Sequence, residues 1–266
     1  MKHCVIVLLL LLCGCSQKPA ERTHIRMAVG GVAQFVYLPA ALAPVLGFPA
    51  EEGLDLSIED FQGGAKSLEA LMGGSVDVVC GFYDHTIQMA AQGREIKAFL
   101  TMLRYPGLVL VAADPAVKSI EDLKGKAVGV SALGSSSHMY LNHQLLKHGL
   151  KPEDVSSTAV GMAGTAIAAM THHTIAAAIM TDPSLDVVRK TTPLRVLSDT
   201  RTGAGVKEAF GVDVYPASVL YSTTQWLTQH ATEATKLTRA MQRTMEWMRS
   251  HSVEEIYAKM PAANKT

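Results

Sequence analysis

Residues 119–137 read SIEDLKGKAVGVSALGSSS, and they contain the signals of a helical turn, a strand and a second helix start. Ser119 and the two acidic residues after Ile120 are typical of a helix N-terminus, and Gly125 ends that short helix. Residues 127–130 are apolar and favour a buried strand. The turn at 134–137 leads directly into a helical pattern at 138–148. A strand, a polar loop and a helix in this order form the repeating unit of α/β proteins.

The same alternation extends in both directions from this stretch. Strands are predicted at 25–30, 54–60, 76–80, 96–103, 108–112, 157–160, 176–180 and 195–198, and helices at 38–46, 65–72, 85–92, 165–172 and 232–250. This rhythm predicts an α/β fold with parallel sheets and helices on both faces. The apolar stripe Leu237, Met241, Met245 and Met248 predicts that the last helix packs on the core.

Two α/β units are predicted, with a return to the first unit near the C-terminus. Residues 24–112 and 217–266 form the first lobe in this interpretation, and residues 113–216 form the second. The two crossings, near 112–114 and 215–217, are the expected hinges.

The N-terminus has the pattern of an export signal. A basic start precedes an apolar run at 5–12, which is too short to span a bilayer as a helix of roughly 20 residues. Residues 12–15, Leu-Cys-Gly-Cys, resemble the lipobox of bacterial lipoproteins. We therefore expect a signal peptide at 1–14, a lipid-modified Cys15 and a polar tether at 15–23. An ordinary cleaved signal, with an incidental Cys15, is the alternative.

Cysteine usage fits export without disulfides. Cys4 and Cys13 leave with the signal, and acylated Cys15 cannot pair, so Cys80 has no partner. Cys80 lies in an apolar run, where a buried and inert thiol is expected.

Composition and motifs exclude several functions. The 24 Lys and Arg residues balance the 24 Asp and Glu residues, and no basic stripe suggests binding to nucleic acid. The His172-His173 pair has no acidic or cysteine partner at metal-ligand spacing, and the Gly-x-Ser-x-Gly motif is missing. We expect no catalytic residue, no metal and no cofactor, and hence no enzyme.

Several ordered motifs resemble a known family. They are Gly63-Gly64-Ala65-Lys66-Ser67-Leu68, Gly73-Gly74-Ser75-Val76-Asp77, the segment 119–126 and the turn 134–137. Together they are similar to substrate-binding proteins of ABC importers for nitrate, taurine, aliphatic sulfonates and thiamine-precursor pyrimidines. The resemblance implies a type II periplasmic-binding-protein fold, with a ligand in the cleft between two lobes. Family members usually continue well past the helix at 232–250, so either the last helices are trimmed or the sequence is truncated.

Ligands of open α/β sheets bind outside the carboxyl ends of the strands, so the loops there supply the candidate contacts. The strongest loop is 131–137, where hydroxyls and free N–H groups at a helix start can receive an anion. The ligand-binding candidates are Gln34, Phe35, Tyr37, Gly63, Gly64, Tyr83, His85, Ser131, Gly134, Ser135, Ser136, Ser137, Thr165 and Asp182.

Each loop also has a simpler interpretation. Phe35 and Tyr37 can pack in the core, and the turn at 63–67 can be a plain helix start. Asp84 is expected to cap its helix and to raise the charged fraction of His85, which would favour an anionic ligand if both face the cleft. An acidic Asp182 in the pocket would instead favour a ligand that bears an amine.

The predicted function is a lipid-anchored, monomeric binding protein that captures a small organic anion such as a sulfonate or nitrate and delivers it to an ABC permease. It would act in the periplasm or on the outer face of the cell membrane. A binder of thiamine-precursor pyrimidines and an extracytoplasmic sensor are the alternatives. Pyrimidine-synthesising relatives are cytosolic and carry a cysteine-rich segment that this sequence lacks, which disfavours an enzyme.

Overall fold

The computed structural model describes residues 22–265, which alternate between strands and helices as the sequence predicts. The strands are β1 (Thr23–Val29), β2 (Leu54–Asp60), β3 (Val78–Phe82), β4 (Ile96–Leu103), β5 (Val109–Ala112), β6 (Ala127–Val130), β7 (Ser156–Ala159), β8 (Ala177–Met180), β9 (Arg195–Asp199) and β10 (Ala217–Thr223). The helices are α1 (Leu38–Leu46), α2 (Phe48–Glu51), α3 (Gly64–Met72), α4 (Asp84–Ala91), α5 (Ser136–Lys147), α6 (Gly164–Thr171), α7 (Ser184–Thr191), α8 (Gly203–Phe210), α9 (Thr224–Gln229), α10 (Ala231–Ser250) and α11 (Val253–Lys259). The predicted signal peptide and Cys15 lie outside the described residues.

Two five-stranded sheets form the centres of two lobes. Lobe 1 contains the sheet β2-β1-β3-β10-β4, and lobe 2 contains the sheet β7-β6-β8-β5-β9. In each sheet the fourth strand runs antiparallel to both neighbours, and this strand arrives from the other lobe. The sheets are therefore mixed, whereas the sequence predicted parallel sheets. The α/β class and the two-lobed plan are confirmed.

The first crossing lies earlier in the chain than predicted. β5 pairs with β8 and β9, so it belongs to lobe 2, although the prediction placed residues up to 112 in lobe 1. The chain thus crosses at 104–108, before β5, and returns after α8 at 211–216. The two crossing segments are joined by a hydrogen bond of 3.0 Å from the Tyr215 N–H to the Arg104 carbonyl.

Apolar side chains on the strands build the core of both lobes. Ile25, Met27 and Leu110 are almost fully buried, as are Leu237 and Met241 of the predicted apolar stripe. Burial of each such side chain contributes about 1.5–3 kcal/mol relative to exposure. Cys80 is also fully buried, as predicted, and burial raises the pKa of its thiol to about 12. The core thus fixes the two sheets whose loops face each other.

Among the helices of residues 22–265, none combines the length and the apolar character that a membrane crossing requires.

Candidate ligand-binding site

A cavity of about 20 Å³ lies where the loops of the two lobes meet. A water molecule needs about 10–15 Å³ on this scale, so little free space remains between the lobes here. The lining residues come from both lobes and from the first crossing. They are Gly30, Gln34, Val36, Tyr37, Gly64, Phe82, Leu108, Ser131, Ser135, Ser136, Ser137, Met162 and Thr181.

A serine loop between β6 and α5 supplies most polar groups of the cavity. Ser137 Oγ lies 2.8 Å from Ser131 Oγ and accepts a hydrogen bond of 3.0 Å from the Ser131 N–H. Ser135 and Ser136 are buried as well. Ser136 Oγ donates to Asp84 Oδ1 of lobe 1 at 2.8 Å. The serine loop therefore stabilises itself and also reaches across the cleft.

Two helices begin at the cleft from opposite sides. α3 starts at Gly64 in lobe 1, and α5 starts at Ser136 in lobe 2. Ser135 is the N-cap residue of α5, yet its side chain does not cap that helix. Its Oγ instead accepts a hydrogen bond of 3.0 Å from the Ala65 N–H at the start of α3. Because helix N-termini carry partial positive charge, both starts make this region of the cleft attractive to an anion.

Glycines allow the close approach of the loops behind the cavity. A Cβ atom on Gly30 would lie 2.5 Å from the Gly64 nitrogen, and a Cβ atom on Gly64 would lie 2.7 Å from His85 Cε1. Real Cβ contacts are not this short, so neither position accepts a larger residue without a shift of the backbone or of the imidazole. Gly63, with φ of 91°, faces Ser131 of lobe 2.

Gln34 bridges the lobes on another wall of the cavity. Its Oε1 accepts from Thr181 Oγ1 at 2.6 Å, and its Nε2 donates to Ser184 Oγ at 3.2 Å. The neighbouring Phe35 N–H donates to the Asp182 carbonyl at 2.9 Å. Gln34, Thr181 and Ser184 are all buried, so the two side-chain bonds that join the lobes here are shielded from solvent.

Asp84 links three parts of the chain. Its side chain is buried, and its Oδ2 accepts from Tyr215 Oη at 2.8 Å while Oδ1 accepts from Ser136. Asp84 opens α4, but Tyr83 is the N-cap residue, so the predicted cap role is wrong. The carboxylate instead connects lobe 1 to α5 and to the second crossing.

His85 lies behind the cavity wall and not in the cavity. It is fully buried, its Nδ1 is 2.8 Å from Tyr221 Oη, and its Nε2 has no hydrogen-bond partner among the described residues. Burial lowers the pKa of the imidazole, and the nearby Asp84 charge opposes this only in part. Asp84 does act in the expected direction on His85, but desolvation is the larger effect, so the net shift favours the neutral imidazole.

Half of the predicted contacts meet at the cavity. Gln34, Tyr37, Gly64, Ser131, Ser135, Ser136 and Ser137 line it. Gly63 lies at the lobe interface beside it, and His85 lies beneath Gly64.

The remaining candidates do not line the cavity. The rings of Phe35 and Tyr83 are partly exposed, and Thr165 is exposed near the start of α6. Gly134 forms the turn before α5 with φ of 80°. Asp182 pairs with Arg201 at 3.3 Å, outside the central cavity.

The prediction missed several lining residues, which are Gly30, Val36, Phe82, Leu108, Met162 and Thr181. Gly30, Phe82 and Thr181 are within one residue of a strand end, so the rule about carboxyl ends could have found them. Leu108 was hidden because the first crossing was placed too late in the chain.

Two mixed sheets of identical order and a polar cleft between them define a two-lobed protein of the periplasmic-binding-protein fold. The family model described as NMT1/THI5 like matches residues 34–255. The chain belongs to the NMT1/THI5-like family.

Solved structures share the fold over most of the chain. A protein of Bordetella bronchiseptica RB50 is 36% identical, with 92% of this chain and 80% of that chain covered and a TM-score of 0.87. The periplasmic aliphatic sulphonate binding protein SsuA of Escherichia coli is 22% identical, with 89% and 77% covered and a TM-score of 0.63.

Curated relatives include a binding protein and enzymes. The binding protein YtlA of Bacillus subtilis (strain 168) is 24% identical over 258 residues, which are 94% of this chain and 73% of YtlA. A 4-amino-5-hydroxymethyl-2-methylpyrimidine phosphate synthase of Saccharomyces cerevisiae is 26% identical over 128 residues, which cover 47% of this chain and 37% of the synthase. The match to the binding protein extends over twice the length of the match to the enzyme.

Proposed function

We propose that the protein is the lipid-anchored substrate-binding component of an ABC importer and that it captures a small organic anion in the interlobe cleft. The serine loop carries this proposal, because its four buried hydroxyls lie at the start of α5, opposite the start of α3. Hydroxyl and amide donors at two helix starts can bind a sulfonate, nitrate or carboxylate without a fixed cationic side chain.

The interlobe hydrogen bonds support capture by opening and closing. The bonds from Ala65 to Ser135 and from Ser136 to Asp84 are of the kind that a ligand can replace, because a hydroxyl donates or accepts as it rotates. The cavity of about 20 Å³ has room for about one water molecule, so we expect the lobes to separate before an organic ligand enters. Rotation about the crossings at 104–108 and 211–216 would open the cleft.

The contacts of the serines favour binding over catalysis. Within residues 22–265 the hydroxyls of the serine loop bond to one another, to the Ala65 amide and to Asp84. The imidazole of His85 bonds to Tyr221 and is separated from the cavity by Gly64. A serine nucleophile requires a base within hydrogen-bonding reach, and His85 does not fill that role.

A pyrimidine binder is the second candidate. The Phe82 and Tyr37 rings line the cavity, and Asp84 can accept a hydrogen bond from a ring amine. The partial match to the yeast synthase supports the same ligand chemistry. A panel that contains both sulfonates and aminopyrimidines separates the two candidates.

A thermal-shift screen of the exported chain, purified in mild detergent, tests the proposed function. The panel contains sulfonates, nitrate, aromatic carboxylates and pyrimidines, and a ligand raises the melting temperature by mass action. A stabilising anion supports the proposal, whereas stabilisation by pyrimidines alone supports the second candidate. A panel without any stabilising compound contradicts both.

The double variant Ser135→Ala, Ser136→Ala tests the serine loop. We expect its affinity for the best anion to fall at least tenfold in calorimetry, because two hydroxyl partners are lost. Ser156→Ala is the matched control, since Ser156 is exposed on β7 of the same lobe. Unchanged affinity in the double variant would exclude the serine loop as the anion site.

A further inference from the structure

Asp84 is a buried carboxylate with neutral partners, one of which is the cavity-lining Ser136. The residue is 8% exposed, and its two hydrogen-bond donors are the hydroxyls of Ser136 and Tyr215, each at 2.8 Å. The adjacent His85 is not a counter-ion, because burial lowers the pKa of its imidazole. Burial of a charge is costly unless an opposite charge or several donors compensate it.

The Asp84 carboxylate can accept further hydrogen bonds from a cationic group. Each of its oxygens has a second lone pair, and each accepts one hydroxyl bond in the described structure. A ligand ammonium group provides up to three donors and a full positive charge, and such charge-assisted hydrogen bonds are about twice as strong as neutral ones. The attraction increases further in a cleft that excludes water.

Ser136 couples this carboxylate to the serine loop. Its Oγ lines the cavity and donates its single proton to Asp84. When a ligand ammonium group replaces Ser136 as the hydrogen-bond donor to Asp84, the Ser136 hydroxyl can donate its proton to an anionic group at the start of α5. Conversely, an anion without an amine meets a negative carboxylate one hydrogen bond away and is repelled.

We propose that Asp84 recognises a protonated amine, so that the ligand is a small zwitterion with its anionic group at the serine loop and its ammonium group at Asp84. This inference rests on the proposed function and restricts it to amine-bearing organic acids. Asp84 acts as the residue that discriminates between such acids and simple anions.

Calorimetry with matched pairs of compounds tests the inference. The pairs are 2-aminoethanesulfonate with ethanesulfonate, 2-aminoethylphosphonate with ethylphosphonate, and β-alanine with propionate, each titrated into the exported full-length chain. For at least one pair we expect the amine-bearing member to bind at least tenfold more tightly. Acetylation of that amine, which removes its charge, should cancel the advantage.

Two variants locate the effect. Asp84→Asn keeps the size of the side chain and should reduce the preference to within about twofold, a free-energy change of about 1 kcal/mol or more by the equivalence of 1.4 kcal/mol per factor of ten. Tyr215→Phe removes the other hydroxyl donor to Asp84 but leaves the charge, so its preference should persist. Circular dichroism verifies that both variants fold. If Asp84→Asn does not fold, the acetylated compound still tests the role of the ligand charge in the wild-type protein.

Three results would overturn the inference. They are equal affinity within every pair, a preference that survives Asp84→Asn, and a panel in which no amine-bearing compound binds. The proposed function is judged separately, because tight binding of an amine-free anion would leave it standing while the role of Asp84 fails.

Discussion

Gly30 and Gly64 illustrate what a residue pattern predicts and what it cannot. The sequence placed Gly64 among the candidate ligand contacts, and both glycines lie in loops that follow strands. In the structure they permit close approach of the protein to itself, since Gly30 faces the Gly64 backbone and Gly64 faces the His85 ring. The requirement for glycine at both positions is steric, and the neighbours that impose it come from parts of the chain far apart in sequence.

His85 should make the stability of the protein depend on pH. Burial lowers the pKa of its imidazole below the ordinary value of 6.5, so the unfolded chain binds more protons as pH falls below that value. The contribution of His85 to the free energy of unfolding is therefore fully present above about pH 6.5. It decreases as the pH falls from this value to the folded-state pKa. The slope from one such group is at most about 1.4 kcal/mol per pH unit.

Urea unfolding between pH 7.5 and 5 measures this slope. We expect the loss of unfolding free energy to be smaller in His85→Gln than in the wild type, each referred to its own value at pH 7.5. His172→Gln is the matched control, because His172 is exposed after α6 and should leave the slope unchanged. Identical slopes for the wild type and His85→Gln would show that the buried imidazole does not titrate as inferred.

At Ser135 the sequence predicts where helix α5 begins but not which helix the side chain caps. The helix start at the serine loop was predicted from the glycine and serine signals, and α5 begins there. Its Oγ, however, accepts from Ala65 at the start of α3 in the other lobe. Local capping signals do not specify which helix receives the cap, because that choice depends on how the lobes pack.

The sheet membership of β5 was unpredictable for a related reason. Its apolar run correctly indicated a strand, and the structure places β5 at Val109–Ala112. Its partners β8 and β9 follow more than 60 residues later, so pairing cannot be inferred from a local pattern. The resulting error moved the first crossing and concealed Leu108 as a lining residue.

Gln34 should favour the closed arrangement of the lobes. Gln34→Ala removes its bonds to Thr181 and Ser184 and leaves two buried hydroxyls without partners in the closed state. Each such loss costs about 1–3 kcal/mol, so the population should shift toward open molecules. Small-angle X-ray scattering without ligand should report a larger radius of gyration.

Gln242→Ala is the control for this measurement, because Gln242 is exposed on α10, away from the cleft. Its radius of gyration should equal that of the wild type. A Gln34→Ala protein as compact as the wild type would mean that other interlobe bonds are sufficient for closure.

At the scale of the whole molecule, the family and the two-lobed fold were predictable from ordered motifs that span most of the chain. The model of the NMT1/THI5-like family covers residues 34–255, which include every cavity-lining residue except Gly30. Ligand chemistry was less accessible, because Asp84 acquires its partners only when Ser136 and Tyr215 approach from lobe 2 and the second crossing.

The proposed lipid anchor makes a prediction about the intact protein. Cys15→Ser should release the exported chain from the membrane and reduce uptake, since the tethered protein is concentrated near its permease. Ligand affinity in calorimetry should not change, because the cleft lies among residues 30–181. Membrane fractionation with Cys80→Ser as the control measures the release, and a Cys15→Ser protein that stays membrane-bound would contradict the anchor.

The position of β10 has a consequence for biosynthesis. β10 separates β3 from β4 and provides the hydrogen-bonded neighbour of β4 in the sheet. The sheet of lobe 1 therefore lacks its fourth strand until residue 223 has been synthesised, whereas all strands of lobe 2 have been synthesised by residue 199. Lobe 1 therefore completes its sheet later in synthesis than lobe 2, although its first strand is made first.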